Sequence, residues 1–292
     1  MKLLFAGAES KSIRKVIIDA GVKNTLVSYF YIVDRSVDIN EYFDKFEYVA
    51  LDSGGFTFIK NANENKNTKR IDHYKYLMNY LEFIEKHKGK FLWVANYDVA
   101  IEVGDNRVYE WNELFRKFEP YQRICYVAHD YSIPYVNLYK YFDLYDMVGV
   151  SGNWIGVKDD VGYFSQVYQL AMSKKKLTHG FAMTNFVSFD RFPFWTADST
   201  TYLGGAKFGT TYVWNGAYFE TWDCLRKYRR KSLKNWCELW GVDFDGFCND
   251  QIREVTRFNT FAWLENEKAY NRKTKHKQWW SEDSYDAHLR LG

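Results

Sequence analysis

Residues 48–56 read Tyr48-Val49-Ala50-Leu51-Asp52-Ser53-Gly54-Gly55-Phe56. The first four form a short apolar run, the pattern of a strand buried on both faces of a parallel sheet. The run ends in a carboxylate, a hydroxyl and two glycines. A strand does not continue readily through Gly54-Gly55, so the chain turns there and leaves its backbone bare of side chains. Bare backbone lets a flat ligand approach closely, with Asp52 beside it. The competing reading is an ordinary turn carrying a solvated Asp.

The same pattern recurs outward from this stretch. Residues 2–6 form a short apolar strand and 12–20 a helix stopped by Gly21. Residues 25–31 are strand-like, rich in β-branched and aromatic side chains. Residues 61–70 are polar and read as a connecting or substrate-contact loop. The clearest helix spans 71–88, with Ile71, Tyr74, Leu77, Met78, Leu81 and Ile84 on one face. Strands follow at 91–97, 124–128, 146–150, 177–183 and 192–197, separated by helices at 108–118, 134–142 and 162–175. Alternation of this kind implies parallel βαβ units, and roughly eight of them predict a (β/α)8 TIM-like barrel. A doubly wound open sheet is the alternative. Polar residues recur at strand ends: Asp52, Asp98, His129, Gly152, His179 and Asp198. In a barrel those ends converge on one face. Beyond Asp198 the pattern changes to a small β element at 206–213, helices at 222–240 and 250–268, and a polar tail from 271. We read one domain over 1–292, with 206–292 as a C-terminal helical extension.

The totals set bounds on function. A 292-residue chain that is 47% hydrophobic can bury a large core. The aromatic share, 20%, suits wet cores and base stacking alike. A formal net charge of +3 neither requires nor excludes nucleic acid, so local clusters matter more. Four scattered cysteines without a C-x-x-C pair indicate neither a disulfide framework nor a close-paired metal motif. The opening residues lack a signal-peptide core, and no apolar run reaches spanning length. The expectation is a soluble cytoplasmic protein without a membrane partner.

Buried aspartates are costly unless hydrogen-bonded or functional, and a carboxylate pair can divide labour between nucleophile and acid or base. The competing role for each is to cap the following helix. The turn Asp52-Ser53-Gly54-Gly55-Phe56 resembles the signature of the tRNA-guanine transglycosylase superfamily. Those enzymes are (β/α)8 barrels that exchange guanine in a nucleic acid for a 7-deazaguanine. Asn96-Tyr97-Asp98, Val148-Gly149-Val150-Ser151-Gly152, His179-Gly180-Phe181-Ala182-Met183-Thr184 and Thr196-Ala197-Asp198-Ser199-Thr200 match later segments in order and spacing. The likeness covers roughly residues 1–205. Its Asp-Ser-Thr form looks more like the DNA-modifying branch, often phage-encoded, than the tRNA branch.

The resemblance implies Asp198 as nucleophile and Asp52 as acid and base. Ser53, Gly54, Gly55, Phe56, Asp98, His129, Gly149, Ser151, Gly152, His179 and Gly180 would line the base site. Asp98 would accept from the N1–H and 2-amino edge of guanine, and Phe56 or Tyr97 would stack on the base. A target inside a duplex must be flipped out. Exchange conserves the glycosidic bond, so no cofactor is expected. A homodimer is a family trait, with DNA the favoured partner and tRNA the alternative. The family's base-reading Gln has no counterpart, since His129-Asp130 stands in its place. The tRNA enzymes' zinc spacing is missing too, which weakens the tRNA reading; Cys224, Cys237, Cys248 and His276 are the residues left to gather round a metal, and no metal is expected.

The cluster Arg226, Lys227, Arg229, Arg230 and Lys231, interleaved with Tyr228, suits phosphates and stacking. Arg272, Lys273, Lys275 and Lys277 before Trp279-Trp280 form a second cluster. Both also fit solvated faces. Two further classes remain open: a two-carboxylate glycoside hydrolase, and a barrel that binds nucleic acid without catalysis.

Overall fold

The computed structural model describes residues 1–58, 71–128, 136–151, 161–183, 192–216 and 219–286. Eight parallel strands close into a barrel: β1 (Lys2–Ala6), β2 (Asn24–Ser28), β3 (Tyr48–Asp52), β4 (Val94–Ala95), β5 (Ile124–Val127), β6 (Met147–Ser151), β7 (Leu177–Phe181) and β8 (Thr196–Ser199). Closure comes from β1 pairing with β8, Lys2 opposite Thr196 through Phe5 opposite Ser199. The predicted (β/α)8 architecture is therefore the one observed, and the open sheet is excluded.

Helices α1 (Lys11–Asp19), α2 (Tyr29–Asp34), α3 (Asn40–Phe43), α4 (His73–Lys86), α5 (Ala100–Val103), α6 (Asp105–Arg116), α7 (Val136–Leu144) and α8 (Val161–Lys174) surround the strands. Side chains alternate across the barrel wall, as the period of two requires. Leu4, Ala6, Leu26, Ala50, Cys125 and Met147 fill the interior. Their neighbours Leu3, Phe5, Val27, Val49, Leu51 and Val148 face the helices. This alternation aims Ser28, Asp52, His179 and Asp198 inward at the carboxyl-terminal mouth.

Several predicted boundaries shift for identifiable reasons. The run at 25–31 divides at Ser28. Tyr29 turns into α2, where its ring meets Tyr76, Tyr80 and Phe83 at about 5 Å. The run at 91–97 keeps backbone bonds to β3 and β5 from Leu92 to Asn96, but its regular strand narrows to Val94–Ala95, and past it the Asn96 side chain takes the Val127 N–H at 2.9 Å. The last strand begins at Thr196, not 192. Pro193 offers no ladder donor, and backbone bonds to β7 and β1 begin only at Trp195, whose N–H donates to the Thr178 carbonyl and whose carbonyl accepts the Lys2 N–H. Asp198 consequently lies within β8, not beyond it. The loop at 61–70 and residues 129–135, which include the start predicted for the seventh helix, lie outside the described residues.

After β8 the chain forms α9 (Gly204–Phe208) and an antiparallel hairpin, β9 (Thr211–Trp214) with β10 (Phe219–Trp222). A 3₁₀ helix (Cys224–Leu233), α10 (Lys234–Trp240), α11 (Phe244–Cys248) and α12 (Ile252–Thr274) follow. The β element predicted at 206–213 is thus half helix, because Gly209 takes a left-handed φ of 64° that ends α9 before β9 begins. The single helix predicted at 222–240 is a strand residue, a 3₁₀ helix and an α-helix in succession. Trp214, Trp222, Trp240, Phe247 and Phe258 share a second core that α12 joins to the barrel.

The segment after α12 reads as a polar tail but closes the barrel floor. Tyr285 stacks on Trp195 at 4.8 Å with rings 9° apart, and its hydroxyl donates to the Trp195 carbonyl. The Trp195 indole N–H donates to Ser284, Arg123 donates to the Ser284 carbonyl and Tyr48 donates to Asp286. Truncation of Tyr285 to Ala removes a stacked ring and a buried hydrogen bond. We expect a loss of about 3 kcal/mol in denaturant unfolding.

Candidate active site at the barrel mouth

The turn after β3 is built against protein. Asp52 Oδ2 accepts the Gly54 N–H at 2.9 Å, closing an Asx-type turn. Gly54 has φ +85°, and a Cβ there would lie 2.5 Å from Phe30 Cβ. A Cβ on Gly55 would lie 2.5 Å from the Asp98 carbonyl oxygen. The lack of side chains therefore serves the seating of the β3 turn on Phe30 and on the chain just past β4. Ser53 is buried and its carbonyl accepts the Tyr76 hydroxyl at 2.7 Å. From this turn Asp52 looks into the mouth, while Phe56 is 69% exposed. Tyr97 is buried, stacked on Trp111 and hydrogen-bonded to His73, so it is not available to stack on a base.

Across the mouth, β7 and β8 hold the second carboxylate. Asp198 Oδ1 receives the Ala182 N–H at 2.9 Å and faces His179 Nε2 at 3.3 Å. Ala182 reaches this position with a left-handed φ of 49°, a conformation costing a non-glycine residue about 1 kcal/mol or more. Both contacts fall on Oδ1; among the described residues Oδ2 carries no hydrogen bond. His179 is wholly buried, with Nδ1 at 2.9 Å from Thr196 Oγ1. Burial pushes its pKa down against the pull of Asp198. Burial therefore favours the neutral imidazole, with Nε2 turned to Asp198 and Nδ1 to Thr196. Trp93 lies against His179 at 4.4 Å between ring centroids, and Phe181 edges onto both rings.

Burial pushes the Asp52 carboxyl up to about 6. The Gly54 N–H opposes this, the charge of Asp198 adds to it, the Ser28 hydroxyl opposes it and the charge of Glu9 adds to it. Glu9 is the residue that reading the sequence missed. It is buried in the turn after β1, its carboxylate accepting the Ser28 N–H at 2.7 Å. Its signal was the rule already applied to the other strands, a carboxylate just past a strand end, and the run Gly7-Ala8-Glu9 obscured it.

The remaining site residues divide. Asp98 is buried at the end of the β4 segment, with its charge felt by Tyr141. Ser151 ends β6. Gly149 faces inward, but a Cβ there would meet Phe181 at 2.5 Å and Cys125 at 2.9 Å, so packing accounts for that glycine. Gly180 faces outward beneath Met183. His129 and Gly152 lie outside the described residues.

The basic clusters separate as well. Arg230 is 1% exposed and donates to Thr211, Asp250 and the carbonyls of Phe247 and Gly209. It anchors the 3₁₀ helix to α11 and cannot reach a ligand, which corrects its assignment as a phosphate contact. Lys227 pairs with Asp250. Arg226, Arg229 and Lys231 are exposed beside Tyr228. The hairpin that Arg230 bonds through Thr211 is tied in turn to the chain past β8: Asn259 of α12 donates to the Tyr202 carbonyl and accepts the Tyr212 N–H of β9. The second cluster lies at the floor, where Trp279 donates to the Lys176 carbonyl just before β7. Cys224, Cys237, Cys248 and His276 do not gather; among the described residues no group of three His, Cys, Asp or Glu is arranged to hold a metal ion. No described helix is long and apolar enough to cross a membrane. Neither the protein-family models nor the curated proteins compared with the chain give a match.

Three outcomes follow for stability. Asp52 binds its proton more tightly when folded (about 6) than at its ordinary value of 3.8, so its protonation favours folding. That contribution is complete below about 3.8 and is lost as pH rises through 6. Asp52→Asn should therefore stabilise the protein by about 1–3 kcal/mol at pH 8 and hardly at all at pH 3, read by denaturant titration at both pH values. Arg230→Ala should cost about 3 kcal/mol by leaving the Phe247 and Gly209 carbonyls without their donor and Asp250 with Lys227 as its remaining cation. Arg229→Ala should change stability by less than about 0.5 kcal/mol in the same assay.

Proposed function

We propose that the chain is a guanine transglycosylase, a pentosyltransferase that exchanges guanine in DNA for a 7-deazaguanine base. One observation carries this reading: two carboxylates share the mouth and their surroundings differ. Asp52 is pushed up to about 6. Asp198 has donors on one oxygen, while the other carries no hydrogen bond among the described residues. Carboxylates set apart in this way divide acid–base work from nucleophilic work.

In the proposed reaction Asp198 Oδ2 attacks C1′ as the C1′–N9 bond breaks, giving a covalent glycosyl–Asp198 ester. The bonding pair leaves with the guanine, and protonated Asp52 supplies its proton. The 7-deazaguanine then enters and gives its ring N–H proton to Asp52. Its nitrogen attacks C1′, the ester bond breaks and Asp198 regains its charge. His179 and the Ala182 N–H hold Oδ1 still, so the reactive oxygen is presented in one direction. Asp98 accepts from the N1–H and 2-amino edge of guanine. Phe56, exposed at the rim, gives a face on which a flipped base stacks. Arg226, Arg229 and Lys231 supply contacts to the phosphate backbone.

The test is incorporation of radiolabelled guanine into duplex DNA, single-stranded DNA and tRNA, with Asp198→Asn as control. We expect label in DNA, none in tRNA, and loss of at least about 1,000-fold in the mutant. Label in tRNA alone would transfer the chemistry to the other substrate. An Asp198→Asn protein that binds DNA unchanged, with no label from either protein, would point to a non-catalytic binder.

A further inference from the structure

Around the barrel β8, β1, β2 and β3 are consecutive neighbours. Asp198 lies in β8, Glu9 follows β1, Ser28 ends β2 and Asp52 ends β3. Glu9 thus stands between the two carboxylates that the proposed chemistry employs, yet that chemistry gives it no part. Its turn is pinned from two sides: the Tyr202 hydroxyl donates to the Ala6 carbonyl at 2.8 Å and the Tyr42 hydroxyl to the Ala8 carbonyl at 2.9 Å. From this fixed turn Glu9 accepts the Ser28 N–H at 2.7 Å. Ser28 is in turn the register partner of Asp52. One short line of contacts therefore runs from Glu9 through Ser28 to Asp52.

We infer that Glu9 is a positioning residue for Asp52, fixing the end of β2 beside it and holding a negative charge near it, so that Asp52 keeps a stronger hold on the proton it passes to the departing base. The timing rests on the base-exchange reading; the contacts do not. The groups facing Glu9 are Arg35 at the end of α2, Tyr42 of α3, Tyr202 after β8 and Asp52 itself. Burial pushes the Glu9 carboxyl up, while the Ser28 N–H, its own N–H and Arg35 favour the charged form. The Glu9 charge is among the groups that push Asp52 up.

Glu9→Gln keeps an oxygen for the Ser28 N–H and removes the charge. The readout is the side-chain carboxyl carbon of Asp52 followed by NMR across pH, assigned with Asp52→Asn. The midpoint should fall below about 6 by a small, measurable step, with burial still holding it above the ordinary carboxylate value. The high-pH limb of base exchange should move down with it. An unmoved midpoint overturns the inference. Should Glu9→Gln fail to fold, the unmutated protein decides: a second inflection in the Asp52 curve at the Glu9 midpoint supports the coupling, and a one-site curve refutes it. Absence of exchange at every pH would defeat the base-exchange reading alone, because the Asp52 midpoint is read without turnover.

Discussion

The pairing of β1 with β8 is the contact on which the mouth depends. Four register pairs, Lys2–Thr196 to Phe5–Ser199, join segments far apart in sequence and convert a row of βα units into a ring. In a ring of parallel strands every carboxyl-terminal end faces the same way. The ring also fixes which ends are near each other. Asp198 is two strands from Ser28 and three from Asp52 only because β8 is followed in space by β1. In an open sheet those residues would stand at opposite edges.

Closure creates an electrostatic conflict. Three acidic side chains, from the turn after β1 and from the ends of β3 and β8, share a site that is largely closed to water. Like charges brought together in low dielectric raise one another's proton affinity. The compensation among the described residues is mainly dipolar. Asp52 receives a backbone N–H, Glu9 receives another, and Asp198 receives a third with a neutral imidazole. Dipoles of this kind fix a charge without neutralising it, and they need little reorganisation when charge moves. The left-handed Ala182 shows the same preference: backbone strain is accepted to aim one N–H at Asp198.

The alternation of short apolar runs with amphipathic helices was enough to read the barrel, because each parallel strand is buried on both faces and its ends are punctuated by polar residues. The positions of Asp52, His179 and Asp198 were legible for the same reason. What escaped was information held in third dimensions. Gly54, Gly55 and Gly149 look alike in sequence, yet each is required by a different neighbour: Phe30, the Asp98 carbonyl and Phe181. Arg230 sits in a run of six residues that includes five cations, and only its hydrogen bonds to Thr211, Phe247, Asp250 and Gly209 distinguish it from exposed Arg229. The start of β8 was placed too early because Phe192 and Phe194 have strand-like propensity, whereas backbone bonding to β7 and β1 begins at Trp195. Segment 275–286 read as polar because its few aromatic residues are diluted by charge.

That last segment bears on the order in which the molecule assembles. Its bonds span 238 residues from Asp286 to Tyr48 and 161 from Ser284 to Arg123. Contacts so distant along the chain carry a large loop-closure cost and form late. Until they form, the rings of Trp195 and Tyr48 lack their Tyr285 and Asp286 partners and are covered from the barrel side alone by Arg123 and Lys2. The cylinder can thus be complete in hydrogen bonding while its underside is still sticky. In a crowded cell this intermediate is the species most exposed to self-association.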